Sequence, residues 1–184
     1  SNRSTGKMGY SLGEEAEKLG ADVTIVSGPT NIEKPERVNV LEVRIAEEMY
    51  REVMKHEADQ DIIIAAAAVA DYRPEYTADK KIKKSDMLTV NFVRNKDILL
   101  ELGKIKKDKI LIGFAAESEN LIENSKEKLL KKNLDMIVAN SVDNFGTDDN
   151  TITLLGKDFE TGFEKMEKKK VSEEIWRTIK EKFL

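Results

Sequence analysis

Asp61 to Val69 reads DIIIAAAAV, an apolar run with a single charge at its entrance. Isoleucines followed by alanines, with no polar alternation, are the pattern of a strand covered on both faces in the middle of a parallel sheet. The alanines leave room for something to pack closely against it. The run halts at Asp71, and AAVADYRP (Ala67 to Pro74) leads into the lysine-rich KKIKK (Lys80 to Lys84). Ligands of open α/β sheets bind beyond the carboxyl ends of the strands. A carboxylate at such an end, followed by mobile cations, points to a nucleotide or a phosphorylated substrate.

A second stretch points the same way. SNRSTGKMG (Ser1 to Gly9) reads as a polar, glycine-bearing turn running into a helix. Unsatisfied backbone N–H groups and the positive end of the helix dipole gather there and favour an anion.

Working outward, strands and helices alternate. Gly6 to Leu19 is expected to be a helix with Met8, Leu12, Ala16 and Leu19 on one face, Ser4 or Thr5 capping its start and Gly20 ending it. Asp22 to Ser27 and Val38 to Val43 are short strands around a loop, Gly28 to Arg37. Ile45 to Lys55 is a helix with Ile45, Met49 and Val53 at spacing four. Asp61 to Val69 follows as a strand, Tyr72 to Met87 as a polar loop, Leu88 to Val93 as a strand and Asp97 to Lys104 as a short helix. Ile110 to Ala115 is a buried strand, Leu121 to Lys132 a helix and Met136 to Ala139 a strand. Thr151 to Leu155 and Gly162 to Met166 form a hairpin. Val171, Ile175, Ile179 and Phe183 share one face of a terminal helix. This order predicts an α/β fold, a Rossmann-like doubly wound, mostly parallel sheet with a late β-hairpin, in one domain over residues 1–184.

Composition narrows the function. The chain has 184 residues, long enough for one domain with a real core, and a net charge of −4 with both signs mixed, which argues against electrostatic nucleic-acid binding. It has no cysteine, so disulfides, thiolate metal sites and cysteine nucleophiles are excluded within it; this fits a cytoplasmic location. No apolar run approaches the roughly 20 residues of a membrane span. The sole histidine, His56, is expected to be exposed and without a role. No cluster of histidines or carboxylates resembles a metal cage, so Mg²⁺ is expected to arrive with the nucleotide. Neither a Walker-type G-x-x-x-x-G-K-[ST] nor a G-x-G-x-x-G is present.

Each candidate residue has a duller alternative. Asp71 can accept hydrogen bonds from a ribose or merely cap a turn. Lys80, Lys81, Lys83 and Lys84 are either a solvated charge run or a flap closing on phosphates. Phe114, in GFAAES, is a core phenylalanine or a platform for a base. Lys128 and Lys132, four apart and so on one helix face, are surface charges or a pair of cations aimed at a triphosphate. Asn2 is a turn residue or an amide that fixes a carbonyl oxygen in a transition state.

Taken in order, SNRSTGKMG, DVTIVSGP, AAVADYRP, KIKK, NKDIL, GFAAES, KEKLLKKNLDMIVAN and FGTDDNTITLL resemble phosphopantothenoylcysteine synthetase, the coenzyme A biosynthesis ligase often fused behind a flavin-dependent decarboxylase. The resemblance covers nearly the whole chain. It implies a ligase in which the carboxylate of 4′-phosphopantothenate attacks the α-phosphate of CTP, releasing pyrophosphate. The amine of cysteine then attacks the acyl-cytidylate, releasing CMP.

By position, the resemblance implies that Asn2 holds the acyl intermediate and Lys81 is the catalytic flap lysine. Asp71 meets the ribose, and Lys96, Asp97, Ile98 and Leu99 form the backbone segment at the nucleotide, with Lys96 where the family more often has proline. Phe114 contacts the nucleotide, and Lys128 and Lys132 lie near its phosphates. It implies CTP and Mg²⁺, a homodimer, a decarboxylase domain fused upstream, and no flavin on this segment. It also implies a strand and a glycine-rich turn ahead of residue 1, which this sequence lacks. A non-catalytic nucleotide-binding relative of the same fold is the alternative; the presence of Asn2 and Lys81 argues against it, since binding alone would not need both. A nicotinamide oxidoreductase is a third reading, disfavoured by the missing dinucleotide fingerprint.

Overall fold

The computed structural model describes residues 5–78, 80–83, 87–117, 119–141 and 149–184, and the side chains of residues 141 and 149 are outside that description. It is an α/β fold whose central sheet takes the order β3-β6-β7-β8-β9: Ile62–Ala65, Ile110–Glu117, Met136–Ser141, Asp149–Gly156 and Glu160–Glu167. The first three strands are parallel, and the last two form the antiparallel hairpin expected from their turn residues. β1 (Thr24–Ser27) and β2 (Asn39–Glu42) make a separate parallel pair, so the single sheet expected from the alternation is divided in two.

Helices cover both faces. Leu12 of α1 (Lys7–Lys18) and Val171, Ile175 and Ile179 of α5 (Lys168–Phe183) bury against Ile112, Met136 and Val138. Leu99 and Leu102 of α3 (Ile98–Ile105) and Leu129 of α4 (Leu121–Lys131) bury against Leu111, Ile137 and Ala139 on the other face. Consecutive residues of β6 and β7 thus feed opposite cores, which is why both strands are apolar throughout. Each large side chain so buried contributes about 1.5–3 kcal/mol. The Trp176 indole N–H donates to the Leu12 carbonyl at 2.9 Å, joining α5 to α1.

Several local readings are corrected. α1 begins at Gly6, whose φ of +81° suits a residue without a Cβ; no side chain caps it, and the Thr5 hydroxyl instead accepts from the Lys7 N–H at 3.4 Å. Gly20 ends the helix at φ +91° as expected, but Leu19 is half-exposed rather than core. Ile45 precedes α2 (Ala46–His56) and points outward; the Glu48 carboxylate closes that end by accepting from the N–H groups of Arg44 and Ile45.

The strand expected over Asp61–Val69 keeps its ladder only over Ile62–Ala65, paired with Ile110–Gly113. Ala67, Ala68 and Ala70 are exposed. The polar loop expected over Tyr72–Met87 begins as a strand: β4 (Tyr72–Pro74) pairs antiparallel with β5 (Phe92–Arg94), forming the base of a projecting arm.

Candidate functional site

The chemistry gathers where β3 and β6 end. Asp97 sits just ahead of α3, and its Oδ1 accepts from the Leu100 N–H at 3.0 Å, a capping bond that fixes the carboxylate at the helix entrance. The Lys132 ammonium pairs with it, at 2.9 Å to Oδ1 and 2.7 Å to Oδ2. One turn earlier on the same helix face, the Lys128 ammonium donates to the Phe114 carbonyl of β6 at 3.1 Å. The spacing of four therefore does bring the two cations together, against the end of a buried strand.

Electrostatics distinguish these groups. Burial, with Lys132 adding repulsion, holds the Lys128 ammonium below the ordinary lysine value, against the opposing pull of Glu117, Asp97 and Asp71. Burial alone raises the Asp97 carboxyl, but the hydrogen bonds from Lys132 and the Leu100 N–H outweigh it and leave it below the usual carboxylate value. The result is a partly desolvated cation next to a paired one, a place where an added phosphate removes a penalty already present.

Asp71 lies at the exit from β3 with an exposed side chain, and its carbonyl accepts from the Asn95 N–H at 2.7 Å. It contributes to the field at Lys128, so carboxylate and cation share one electrostatic neighbourhood. Lys96 turns away from this cluster: its ammonium stands 4.1 Å over the Tyr50 ring and 3.8 Å from Glu47, both on α2. Any part it takes at the site is through backbone. Ile98 and Leu99 open α3, with Leu99 buried.

Phe114 packs at the margin of the core beneath α1 and α5, half-buried, on the opposite side of the sheet from the helices bearing Lys128 and Lys132. Met8, in the first turn of α1, packs against that same core, so the α1 entrance and Phe114 share a face. Lys81 is exposed in the arm between β4 and β5. Among the described residues, no hydrogen bond or ion pair joins it to the cluster. Asn2 lies outside the described residues, as does Lys84.

Asn95, Arg73 and Glu117 stand in the quoted motifs NKDIL, AAVADYRP and GFAAES but were assigned no role of their own from sequence. Asn95 immediately precedes the singled-out segment 96–99, which was the available signal. Arg73 carried none, because its importance arises from pairing with residue 94 across the arm. A concavity of about 440 Å³, lined by Lys7, Tyr10, Glu14, Ile32, Lys168 and Lys169 among others, includes none of the predicted site residues that the structure describes. At the cluster itself Asp71 is exposed and Lys128 half-buried. Among the described residues no three His, Cys, Asp or Glu side chains converge as a metal site, and no helix is long and apolar enough to cross a membrane.

Comparisons with known proteins bear on the fold and on the family. The family described as the DNA/pantothenate metabolism flavoprotein C-terminal domain matches residues 1–183. The coenzyme A biosynthesis bifunctional protein CoaBC of Borreliella burgdorferi is 47% identical over 183 residues, which are 97% of this chain and 47% of that protein. The CoaBC of Bacillus subtilis is 44% identical over 163 residues, 85% of this chain and 40% of that protein. The chain thus spans about half the length of the curated relatives it matches. A crystal structure of the C-terminal domain of CoaBC superposes with a TM-score of 0.82 at 39% identity, covering 96% of this chain and 82% of that one. A structure titled Cab2 mutant H337A complex with phosphopantothenate-cysteine shares the fold, with a TM-score of 0.69 at 14% identity over 96% of this chain and 79% of that one.

Proposed function

Because the chain belongs to the DNA/pantothenate metabolism flavoprotein C-terminal domain family, we propose that it is the synthetase part of a coenzyme A biosynthesis enzyme. It joins 4′-phosphopantothenate to L-cysteine by way of an acyl-cytidylate. The observation that carries this reading is the Asp97–Lys132–Lys128 constellation at the carboxyl end of β6, with Asp71 in the same field.

A free carboxylate is a poor electrophile. In the first step a phosphopantothenate carboxylate oxygen bonds to the α-phosphorus of CTP and the bond to the β-phosphate oxygen breaks, expelling pyrophosphate. Lys128 and Lys132 balance charge on the phosphates. Lys81 enters from the arm and stabilises charge as the α-phosphate reacts. In the second step the cysteine amine bonds to the activated carbonyl carbon and the bond to the nucleotide phosphate breaks. This gives the amide and CMP, the amine proton leaving to solvent. Asn2 holds the acyl oxygen during this step. Asp71 accepts hydrogen bonds from the ribose, Lys96 to Leu99 offer backbone groups to the cytosine, and Phe114 borders the nucleotide. Mg²⁺ arriving with the nucleotide would supply charge neutralisation at the phosphates; among the described residues no three His, Cys, Asp or Glu side chains converge to hold it.

The arm supports a homodimer. Tyr76, Met87, Leu88 and Phe92 are each more than half exposed along one short excursion, a density of apolar surface characteristic of a protein–protein contact. The bifunctional relatives support a decarboxylase domain fused to this segment in the full-length protein, and a cytoplasmic enzyme is the reading that goes with it.

The test is pyrophosphate release from CTP and 4′-phosphopantothenate with Mg²⁺, with and without cysteine, using the chain with its native flanking sequence. ATP and Lys81→Gln serve as comparisons. Turnover that depends on CTP, continues to product only with cysteine and falls by at least about a hundredfold in Lys81→Gln is expected. A folded protein that binds CTP but releases no pyrophosphate would be a binding-only relative.

A further inference from the structure

We propose that Asn95 is a positioning residue of the nucleotide site, the pin that fixes the strand exit bearing Asp71 to the base of the arm bearing Lys81; this rests on reading Asp71 as the ribose-binding group. Three contacts carry the inference. The Asn95 N–H donates to the Asp71 carbonyl at 2.7 Å. Its Nδ2 donates to the Ala70 carbonyl at 2.8 Å. Its Oδ1 accepts from Arg73 Nη1 at 3.0 Å, and the same guanidinium nitrogen donates to the Arg94 carbonyl at 3.1 Å.

The placement matters because of what β3 lacks. Its ladder ends at Ala65, whereas β6 continues to Glu117 paired with β7. Residues 66–70 are small, largely exposed and outside any ladder, so local packing does not set the direction in which Asp71 leaves the sheet. Asn95 sets it by holding two successive carbonyls, Ala70 and Asp71. Its other end holds Arg73, the second residue of the first arm strand. The next two residues are anchored as well, Lys96 onto Tyr50 of α2 and Asp97 onto Lys132 of α4. Segment 95–97 is therefore the point at which the ribose carboxylate, the arm and the phosphate cations are referred to one another.

The chemistry requires this amide. A short side chain must donate to a carbonyl and accept from a guanidinium at once. Aspartate keeps the acceptor and loses the donor. Alanine loses both while leaving the backbone bond to Asp71 intact.

The experiment measures CTP affinity by titration calorimetry, together with KM for CTP, KM for cysteine, kcat and the thermal midpoint. The variants are Asn95→Ala, Asn95→Asp, Arg73→Ala, the Asn95→Ala/Arg73→Ala double and Asp71→Asn, all made in the chain with its native flanking sequence. Expected is a rise of about ten- to a hundredfold in CTP Kd and KM for both Asn95 variants, in line with the cost of misplacing a binding group by an ångström. KM for cysteine and the thermal midpoint stay near the parent's. The Arg73 and Asn95 losses are non-additive, because both break one network.

Asn95→Asp, which is nearly isosteric, keeps the test decisive if Asn95→Ala folds poorly. Unchanged CTP affinity in the Asn95 variants, with Asp71→Asn clearly weakened, overturns the positioning role and leaves the ribose reading standing. Unchanged affinity in Asp71→Asn overturns the ribose reading and the proposal with it.

Discussion

Lys128 is a cation held at an electrostatic cost, one that a bound anion would relieve. Its ammonium is partly removed from water, donates to a neutral carbonyl and faces a second lysine. A lysine whose folded pKa lies below the unfolded 10.5 is charged at a cost. That cost is complete below the folded value. It fades as pH climbs from there toward the unfolded value, because the unfolded chain then binds more protons than the folded one, so stability rises with pH across that window. Lys128→Met is therefore expected to stabilise the unliganded protein near neutral pH, at about 2–4 °C in the thermal midpoint per kcal/mol recovered. It should also flatten the alkaline rise in stability and weaken CTP binding by about tenfold or more. Calorimetric scans at neutral and alkaline pH, with a CTP titration, check all three; a lower midpoint at neutral pH would count against the account. Asp97 is the mirror case. Its folded pKa is depressed, so it contributes stability above the ordinary carboxylate range and loses it as pH falls through the folded value. Asp97→Ala should cost about 1 kcal/mol for the cap alone, and more because Lys132 loses its partner. Urea midpoints for parent and variant should converge as the pH drops from about 7 to about 3.

At the scale of elements, the site depends on how closely α3 and α4 approach. A Cβ on Gly103 would stand 1.9 Å from the Lys132 carbonyl oxygen, while the Asn133 amide donates to the Gly103 carbonyl at 2.9 Å. Gly103→Ala must push the two helices apart, at an expected cost of about 1–3 kcal/mol. Because Asp97 opens α3 and Lys132 closes α4, CTP affinity should fall with stability. A variant with a normal urea midpoint and normal CTP binding would show that this approach is not what aligns them. The same elements show what a sequence can reveal. β6, α4 and α5 were legible because their apolar spacing matches their burial: Val171, Ile175 and Ile179 are all buried. The spacing of Lys128 and Lys132 was legible for the same reason. The pairing of Lys132 with Asp97 was not, since it crosses 35 positions and depends on two helices meeting at a glycine. Of the arm strands, β5 was expected over Leu88–Val93 and pairs only over Phe92–Arg94, while β4 was missed because it holds only three exposed residues and exists through its antiparallel partner rather than its own pattern. Phe114 and Lys128 read as neighbours in function, yet strand alternation sends the phenylalanine ring to the other face and leaves only its carbonyl for the lysine.

Across the whole molecule the telling feature is a sheet in two pieces. Among the described residues β1 pairs only with β2, and β3 only with β6. Yet α1 packs on β1 and shares a core with Ile62 and Ile64 of β3, while α2 packs on β1 and lends Val53 and Met54 to the core that includes Ile63 and Ala65. The two pieces therefore lie beneath the same helices with facing edges unpaired. All four residues of β3 are only half-buried, whereas Leu111 and Ile112 beside them in β6 are at 0% exposure. Unpaired backbone N–H and C=O groups at such an edge form a template for one more strand. A parallel strand supplied by sequence ahead of Ser1 would enter α1 and return to β1 by the favoured right-handed crossover. It would also place its carboxyl end beside Asp71 and the α1 entrance, where phosphate chemistry is expected. Extending the chain with its native upstream segment should therefore slow amide exchange across Ile62–Ala65 and Thr24–Ser27, raise the thermal midpoint and tighten CTP binding together, because a single insertion would join the two pieces beside Asp71. Amide exchange at those eight positions is the decisive readout. If the extension changes affinity without protecting them, the added segment acts from outside the sheet and the two pieces are the native arrangement.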